Sequence, residues 1–158
     1  MSGAEHLLQR TADLQDIQAL SAEFAYRIDQ GDMETTADLF AMDGVYGRRG
    51  ETSSVGREAI RSVYRALKAS NVNTTRHLFS NFRITLESAT RASGTCSMVM
   101  YAGAGELPQP VKPVLVQDFH DAYVKVDGRW LFQSRAVVRL FVDPGFTVKL
   151  PLGSTPAR

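Results

Sequence analysis

The first apolar stripe in the chain has the three- and four-residue spacing of a helix. It consists of Leu14, Ile17, Leu20, Ser21, Phe24, Ala25 and Ile28. This spacing predicts an amphipathic helix near residues 12–30, which Gly31 would end as a C-terminal stop. The chain therefore opens with a helix that has one face to bury.

Two further helices are predicted before residue 70. Asp32 can cap a second helix through Met33, Ala37 and Phe40 that ends around residues 43–44. A short strand is expected at 45–47 and a polar loop at 48–54. A third helix is predicted over Arg57–Ala69, ended by residues 70–71. Its apolar face comprises Ile60, Val63, Tyr64 and Leu67.

From Thr74 onward the apolar period changes from that of a helix to the two-residue period of strands. Four strands are predicted, at 76–87, 91–102, 114–126 and 129–141. The pair Asp127-Gly128 predicts a two-residue hairpin between the last two of them. Helices followed by a strand meander predict an α+β fold with helices on one face of a curved antiparallel sheet. We expect one domain over 1–158, with its core at about 12–141 and a tail at 142–158.

Composition favours a globular domain and excludes several functional classes. The 158 residues are 44% apolar and 22% charged, which suffices for a buried core. The net charge is +1 with dispersed basic residues, so nucleic acid is not an expected partner. No secretory signal or long apolar run is present, which predicts a cytoplasmic protein without membrane contact. The lone Cys96 and the lack of zinc-type spacing predict no metal site.

Two residues could form an acid–base pair. Asp29 comes at the end of the first helix, at the edge of its apolar stripe, where an acid can look into a cavity. His77 opens the first long strand, and histidine is the side chain that titrates nearest neutral pH. The alternatives are a solvated helix-end carboxylate and a structural histidine.

Alternation about the Asp127-Gly128 turn assigns side chains to two faces of the sheet. One face carries Gln117, Phe119, Asp121, Tyr123, Trp130 and Phe132. The other carries Asp118, His120, Leu131, Arg135, Val137 and Arg139. The aromatic residues predict that the first face meets the helices, while His120 on the far face suggests an oligomer contact. A bulge would reverse this assignment beyond it.

Several stretches of the sequence together resemble a known family. They are Phe24–Asp32, Ala37–Asp43, Gly56–Ile60, Thr75–Asn81 and Tyr123–Trp130, followed by Arg135. The set resembles SnoaL-like proteins of the nuclear-transport-factor-2-like superfamily over roughly residues 12–141. The resemblance implies a cone-shaped fold enclosing a pocket, often in homodimers or homotrimers. Because the superfamily includes non-catalytic members, the fold alone does not assign a function.

The resemblance also implies residue roles. Asp29 and His77 stand where the dehydratase and dehydrochlorinase branch has its catalytic pair. Arg139 resembles an arginine that serves the bile acid 7α-dehydratase site, although alternation places it on the far face. The tyrosines that scytalone and bile acid dehydratases carry on the first helix have no counterpart in this sequence. Arg48 stands where steroid isomerases have their base, and because arginine is not an acid, isomerase chemistry of that type is disfavoured.

The resulting hypothesis is a cofactor-free, dehydratase-like elimination on a small apolar cyclic or aromatic substrate. His77 would remove a carbon-bound proton, and Asp29 would orient its ring. Candidate acids or oxyanion donors are Tyr46, Tyr101, Asn81 and Arg139. The expected apolar wall is Phe24, Phe79, Met98, Phe119 and Trp130. The alternatives are a polyketide cyclase or isomerase using the same base, and a non-catalytic domain such as a ring-hydroxylating dioxygenase small subunit.

Overall fold

The computed structural model describes residues 2–70 and 73–146. Its helical elements are α1 (Gly3–Asp29), a 3-10 segment (Met33–Leu39) and α2 (Arg57–Ser70). Its strands are β1 (Phe40–Arg48), β2 (Ser54–Val55), β3 (Thr74–Leu86), β4 (Arg91–Gly103), β5 (Pro113–Val126) and β6 (Arg129–Val142). These strands form one curved sheet in the order β2-β1-β6-β5-β4-β3, and α1 packs against β3 and β6. The fold is therefore α+β, as predicted.

The four long strands of the C-terminal half agree with the sequence prediction to within two residues at each end. The predicted hairpin is confirmed, since Val126 pairs with Arg129 across the turn. Asp127 and Gly128 have φ values of 49° and 78°, the left-handed pair that a two-residue turn requires. The predicted end of the third helix agrees at Ser70, while Asn71 and residues 147–158 of the predicted tail lie outside the described residues.

The prediction for the second helix was too long, and the sheet is not purely antiparallel. The 3-10 segment ends at Leu39, and Phe40 begins β1, which contains the short strand predicted at 45–47 and runs parallel to β6. Phe40 is fully buried opposite Phe132, so tertiary packing overrides the local helical pattern. Asp32 precedes the segment, but its side chain accepts no capping hydrogen bond from the backbone. The predicted loop at 48–54 leads into β2, which pairs with β1.

Helix α1 begins nine residues earlier than predicted, at Gly3 rather than near residue 12. A capping box that the prediction overlooked starts it, with Ser2 and Glu5 each accepting a hydrogen bond from the other's backbone N–H. At the other end, Gly31 has a φ of 84° and the Asp32 N–H donates to the Arg27 carbonyl at 2.8 Å. This closure fixes the last turn, which contains Asp29.

A bulge in β6 reverses the predicted faces of its second half. Ala122 pairs with Ser134 but Tyr123 pairs with Phe132, so Gln133 is an extra residue. As a result the side chains beyond it that were predicted to face outward turn toward the helices. They are Arg135, Val137 and Arg139. The prediction for these residues was wrong because simple alternation counts no inserted residue.

A second shift in register lies in β3, between Ser80 and Arg83. Before it, Thr75, His77 and Phe79 turn inward. Beyond it, the residues packed against the core are Phe82, Ile84 and Leu86. The two irregularities bend the sheet around the helices, because bulges increase local twist.

Phe24 on α1 is the centre of the core. The centroid of its ring lies 6.0–6.4 Å from the centroids of six neighbouring aromatic rings. These are Phe40, Tyr46, Tyr64, Phe79, Phe119 and Phe132. Their edge-to-face arrangement joins α1, α2 and four strands in one aromatic cluster.

Directly beneath this cluster, Arg135 on β6 forms a fully buried ion pair with Asp121 on β5. Arg135 Nε and Nη2 donate to the two carboxylate oxygens at 3.0 and 2.8 Å. Nη2 also donates to Ser21 of α1 at 2.8 Å, and Tyr123 donates to the same carboxylate at 3.0 Å. Four aromatic rings face the guanidinium at 4.0–5.1 Å. The pair therefore links two strands to the first helix.

We expect Asp121→Asn to lower the free energy of unfolding by about 3 kcal/mol or more, because it leaves the guanidinium buried without its counter-charge. Urea denaturation at pH 7 measures this. Asp118→Asn is the matched control, since Asp118 lies on the outer face of the same strand and accepts one bond from Ser97. We expect it to lose about 1 kcal/mol or less. Equal losses for the two variants would contradict this account of the pair.

Candidate active site

Asp29 and His77 are in direct contact. Asp29 Oδ1 lies 2.7 Å from His77 Nδ1, and Oδ2 accepts the His77 backbone N–H at 2.9 Å. The Thr75 hydroxyl donates to Oδ1 at 2.8 Å. The side chains of Asp29 and His77 are 7% and 11% exposed, so the contact is shielded from bulk water. Among the described residues His77 Nε2 has no hydrogen-bond partner, which leaves that nitrogen for a ligand.

Local structure explains how these residues meet. Asp29 occupies the last turn of α1, whose closure at Gly31 directs the chain away. Thr75 and His77 are two residues apart on β3, so both side chains point to the helix-covered face. Burial tends to raise the pKa of Asp29, but its hydrogen bonds to His77 and Thr75 outweigh burial and lower it overall. Asp29 is therefore held as a carboxylate.

His77 lies on the wall of an internal cavity of about 60 Å³. The surrounding side chains are Phe24, Ile28, Met33, Tyr46, Tyr64, Leu67, Thr75, His77, Met98, Met100, Leu115, Gln117, Phe119, Arg139 and Phe146. Most of them are apolar. Asp29 lies behind His77 rather than on the wall, so it can act on a ligand only through the imidazole.

The cavity is narrow for a ring-shaped ligand. A protein cavity known to bind benzene has a volume of about 150 Å³, against about 60 Å³ here. Phe146 lies in the turn after β6, where its N–H donates to the Asp143 carbonyl at 2.9 Å, and it is only partly buried. A ligand of ring size therefore requires side chains of the wall to move. Phe146 is the wall residue that lies outside the helices and strands.

Two predicted polar candidates, Tyr46 and Arg139, line the cavity on the side away from β3. Burial raises the pKa of Tyr46, although the charges of nearby arginines partly oppose that rise. Burial and then the neighbouring Arg48 charge lower the pKa of Arg139. The Tyr46 and Tyr64 rings stack at 5.8 Å. Tyr46 thus keeps its proton within the field of several guanidinium groups.

Two other polar candidates lie away from the cavity. Tyr101 points to the opposite face of β4 from Met100 and lines an outer groove with Leu107 and Val111. Asn81 is exposed in the β3 irregularity with a φ of 54°, a left-handed conformation that asparagine tolerates better than most residues. The sequence did not fix the face of the sheet on which either side chain would lie.

Three of the five predicted wall residues, Phe24, Met98 and Phe119, line the cavity. Phe79 packs behind the wall, with its ring 5.2 Å from that of Phe119. Trp130 lies elsewhere, because its indole N–H donates to the buried Asp13 carboxylate at 2.9 Å. A buried tryptophan needs such a partner, and β6 places it at the far end of α1.

The sequence analysis missed several wall residues, of which Gln117, Tyr64 and Thr75 are polar. Gln117 and Tyr64 had been assigned to the correct inward faces of β5 and α2, but no chemistry was attached to them. Thr75 precedes His77 by two residues and so lies on the same face of β3, a spacing that could have identified it as a wall residue. Within the described residues the Tyr64 hydroxyl is buried without a hydrogen-bond partner.

The described part of the chain has no cluster of metal-ligating side chains, and its cysteine is buried. Residues 2–70 and 73–146 contain no group of three His, Cys, Asp or Glu side chains arranged to hold a metal ion. Burial raises the pKa of the Cys96 thiol to about 11, so it is a poor nucleophile at neutral pH. In the same residues no helix combines the length and apolarity needed to cross a membrane.

Comparison with protein families finds one model, that of the SnoaL-like domain, which matches residues 9–136. This match covers α1 through most of β6 and includes both members of the Asp29–His77 pair. No curated protein sequence matches the chain significantly.

Comparison with solved structures finds the same fold in several proteins. A scytalone dehydratase-like protein from Novosphingobium aromaticivorans has a TM-score of 0.77 and 21% identity, with 95% of this chain and 98% of that chain covered. ActVI-ORFA from Streptomyces coelicolor has a TM-score of 0.70 and 19% identity, with 80% of this chain and 96% of that chain covered. LinA has a TM-score of 0.71 and 21% identity, with 91% of this chain and 98% of that chain covered. At these identities the likeness shows the fold alone.

The lowered pKa of Asp29 predicts a defined pH dependence of stability. Its contribution to the free energy of unfolding is full above the unfolded pKa of about 3.9 and is lost as the pH falls through the lower folded pKa. The stability difference between wild type and Asp29→Asn should therefore shrink as the pH falls below about 4. Urea denaturation across this range measures it.

Thr75→Val serves as a companion variant, because it removes one donor to the same carboxylate with little change of shape. Because the Thr75 bond lowers the pKa of Asp29, we expect Thr75→Val to raise that pKa and so to raise the pH at which the stabilising contribution of Asp29 is lost. A difference between wild type and Asp29→Asn that grows as the pH falls would show that Asp29 is not stabilised as a carboxylate.

Proposed function

This chain belongs to the SnoaL-like domain family, and on that premise we propose that it is a lyase that acts without a cofactor. In this proposal it eliminates a small group from an apolar cyclic or aromatic substrate. The observation that carries the proposal is the shielded 2.7 Å contact between Asp29 and His77 at the edge of an apolar cavity. The fold shared with a scytalone dehydratase-like protein and with LinA supports it.

The first step is proton abstraction by His77. Asp29, a carboxylate, accepts the Nδ1–H and thereby leaves the lone pair on Nε2, which has no partner among the described residues. Nε2 takes a carbon-bound proton from the substrate, and Asp29 stabilises the imidazolium that forms. The backbone N–H of His77 and the Thr75 hydroxyl hold the carboxylate in place. A base positioned in this way contributes about 10²–10⁴ in rate.

The second step is departure of the leaving group. As the C–H electron pair forms the new double bond, the bond to the leaving group breaks and a proton is supplied to it. Tyr46 on the cavity wall is the candidate donor, because its hydroxyl is protonated at neutral pH. Burial raises its pKa and so weakens it as an acid, which the nearby arginine charges partly offset. Arg139 on the same wall can hold a negatively charged oxygen of the substrate away from the reacting carbon.

The same base could instead start a cyclisation. Proton abstraction beside a carbonyl gives an enolate, and an apolar cavity could fold such a substrate for ring closure. The fold shared with ActVI-ORFA keeps this second candidate open. The product distinguishes the two, since an elimination releases a small molecule and a cyclisation does not.

We expect turnover of at least one member of a panel of aromatic alcohols, hydroxylated steroids and polyketide-like ketols. His77→Ala should lower kcat/KM by about 10²–10⁴, because it removes the base. Asp29→Asn should lower kcat more than it raises KM, because Asp29 acts through the imidazole. Product formation followed by mass spectrometry measures these effects.

His120→Ala is the matched histidine control, because His120 is exposed on the outer face of β5. It should retain wild-type turnover, and all variants should keep their melting temperatures within a few degrees. If a substrate turns over and His77→Ala retains full activity, the proposed base is wrong. A non-catalytic role predicts binding by wild type and both variants without any product.

A further inference from the structure

We propose that Arg48 and Arg139 form an anion site at the cavity and that the substrate is an apolar cyclic or aromatic carboxylate. The proposal deepens the function above and rests on the same cavity. The two arginines would bind the carboxylate, while the carbon skeleton extends between them and His77.

Register places the two arginines on the same face of the sheet. Arg48 on β1 pairs with Val137 on β6, and paired residues of neighbouring strands share a face. Val137 is 2% exposed beneath the helices, so Arg48 also points inward, as does Arg139 two residues further along β6. Arg139 lines the cavity itself, while Arg48 lies beside Arg139 rather than on the wall. The lowering of the Arg139 pKa by the Arg48 charge reflects their closeness.

The protein leaves donors of both arginines unpaired. The Nε atoms of Arg48 and Arg139 are buried and have no hydrogen-bond partner among the described residues. Arg48 does form an ion pair, but its partner Glu51 lies 3.4 Å from Arg48 Nη1 and is 55% exposed. Two like charges with buried, unpaired donors are unfavourable without a ligand. An anion would satisfy both.

Arginines with a structural role in this chain are paired. Arg135 is fully buried and has a bidentate contact with Asp121. Arg57 donates twice to the Phe40 carbonyl, and Arg61 binds the Asp38 carboxylate at 2.7 Å. Arg135 Nη1 is also buried without a partner among the described residues, but Arg135 has a buried counter-charge in Asp121, which Arg48 and Arg139 lack there.

The position of the site relative to His77 defines the ligand. Arg139 lies three strands from His77, and three strand spacings amount to about 14 Å before sheet curvature and side-chain length shorten the gap. The wall between them carries Met98, Met100, Leu115 and Phe119. A ring system with a carboxylate at one end spans such a gap. A planar guanidinium fork matches a planar carboxylate in two parallel hydrogen bonds.

The test is calorimetric titration at pH 7 with benzoate and 2-naphthoate, each compared with its uncharged amide. We expect at least one acid to bind wild type about tenfold or more tightly than its amide, because charge-assisted hydrogen bonds are the stronger kind. Arg139→Gln should abolish this preference, and Arg48→Gln should reduce it. Arg129→Gln is the matched control, because Arg129 is exposed at the hairpin and should leave the preference unchanged.

The proposal is overturned if neither acid binds, if the amides bind as tightly, or if the preference survives Arg139→Gln. An unchanged preference in Arg48→Gln would overturn the assignment of a two-arginine site. His77→Ala separates this proposal from the proposed reaction. We expect that variant to keep the preference for the acids, so the anion site can hold even if His77 is not a base.

Discussion

The buried Arg135–Asp121 pair is the interaction on which the rest of the structure depends. Both charges lose their hydration, so the pair depends on the hydrogen bonds that Arg135 Nε and Nη2 and the Asp121 carboxylate make with each other, Ser21 and Tyr123. Ser21 fixes where α1 rests on the sheet. Asp29 lies eight residues further along α1, about 12 Å at the rise of a helix. The ion pair thus sets the height at which Asp29 reaches β3.

The cavity combines two chemically different ends within one apolar enclosure. One end has a carboxylate that orients an imidazole, and the other has guanidinium groups around a protonated phenol. Because few polar atoms lie between them, electrostatic interactions across the cavity are weakly screened. Phe24 supports both ends, since its ring touches the aromatic residues of β1 as well as Phe79 beside the base.

Periodicity was sufficient for the long strands and for the Asp127-Gly128 hairpin, because these depend on local sequence. The proximity of Asp29 and His77 was suggested by their positions but rested mainly on the family resemblance, since nothing local relates a helix end to a strand start. Alternation failed at β6 because Gln133 is polar on either face, so the pattern does not reveal an inserted residue there. Arg135 also looked like a surface residue, and only its partner Asp121 explains its burial.

The extra residue at Gln133 also bears on how this chain can diverge. Loss of its codon would leave Phe132 opposite Tyr123 and Ser134 opposite Ala122, so Arg135 and the inward residues beyond it would still face the helices. Loss of a codon further along the strand, within the regular ladder, would instead turn every residue beyond it to the other face. A change of length in this strand is therefore compatible with the core at the bulge and not in the ladder that follows it.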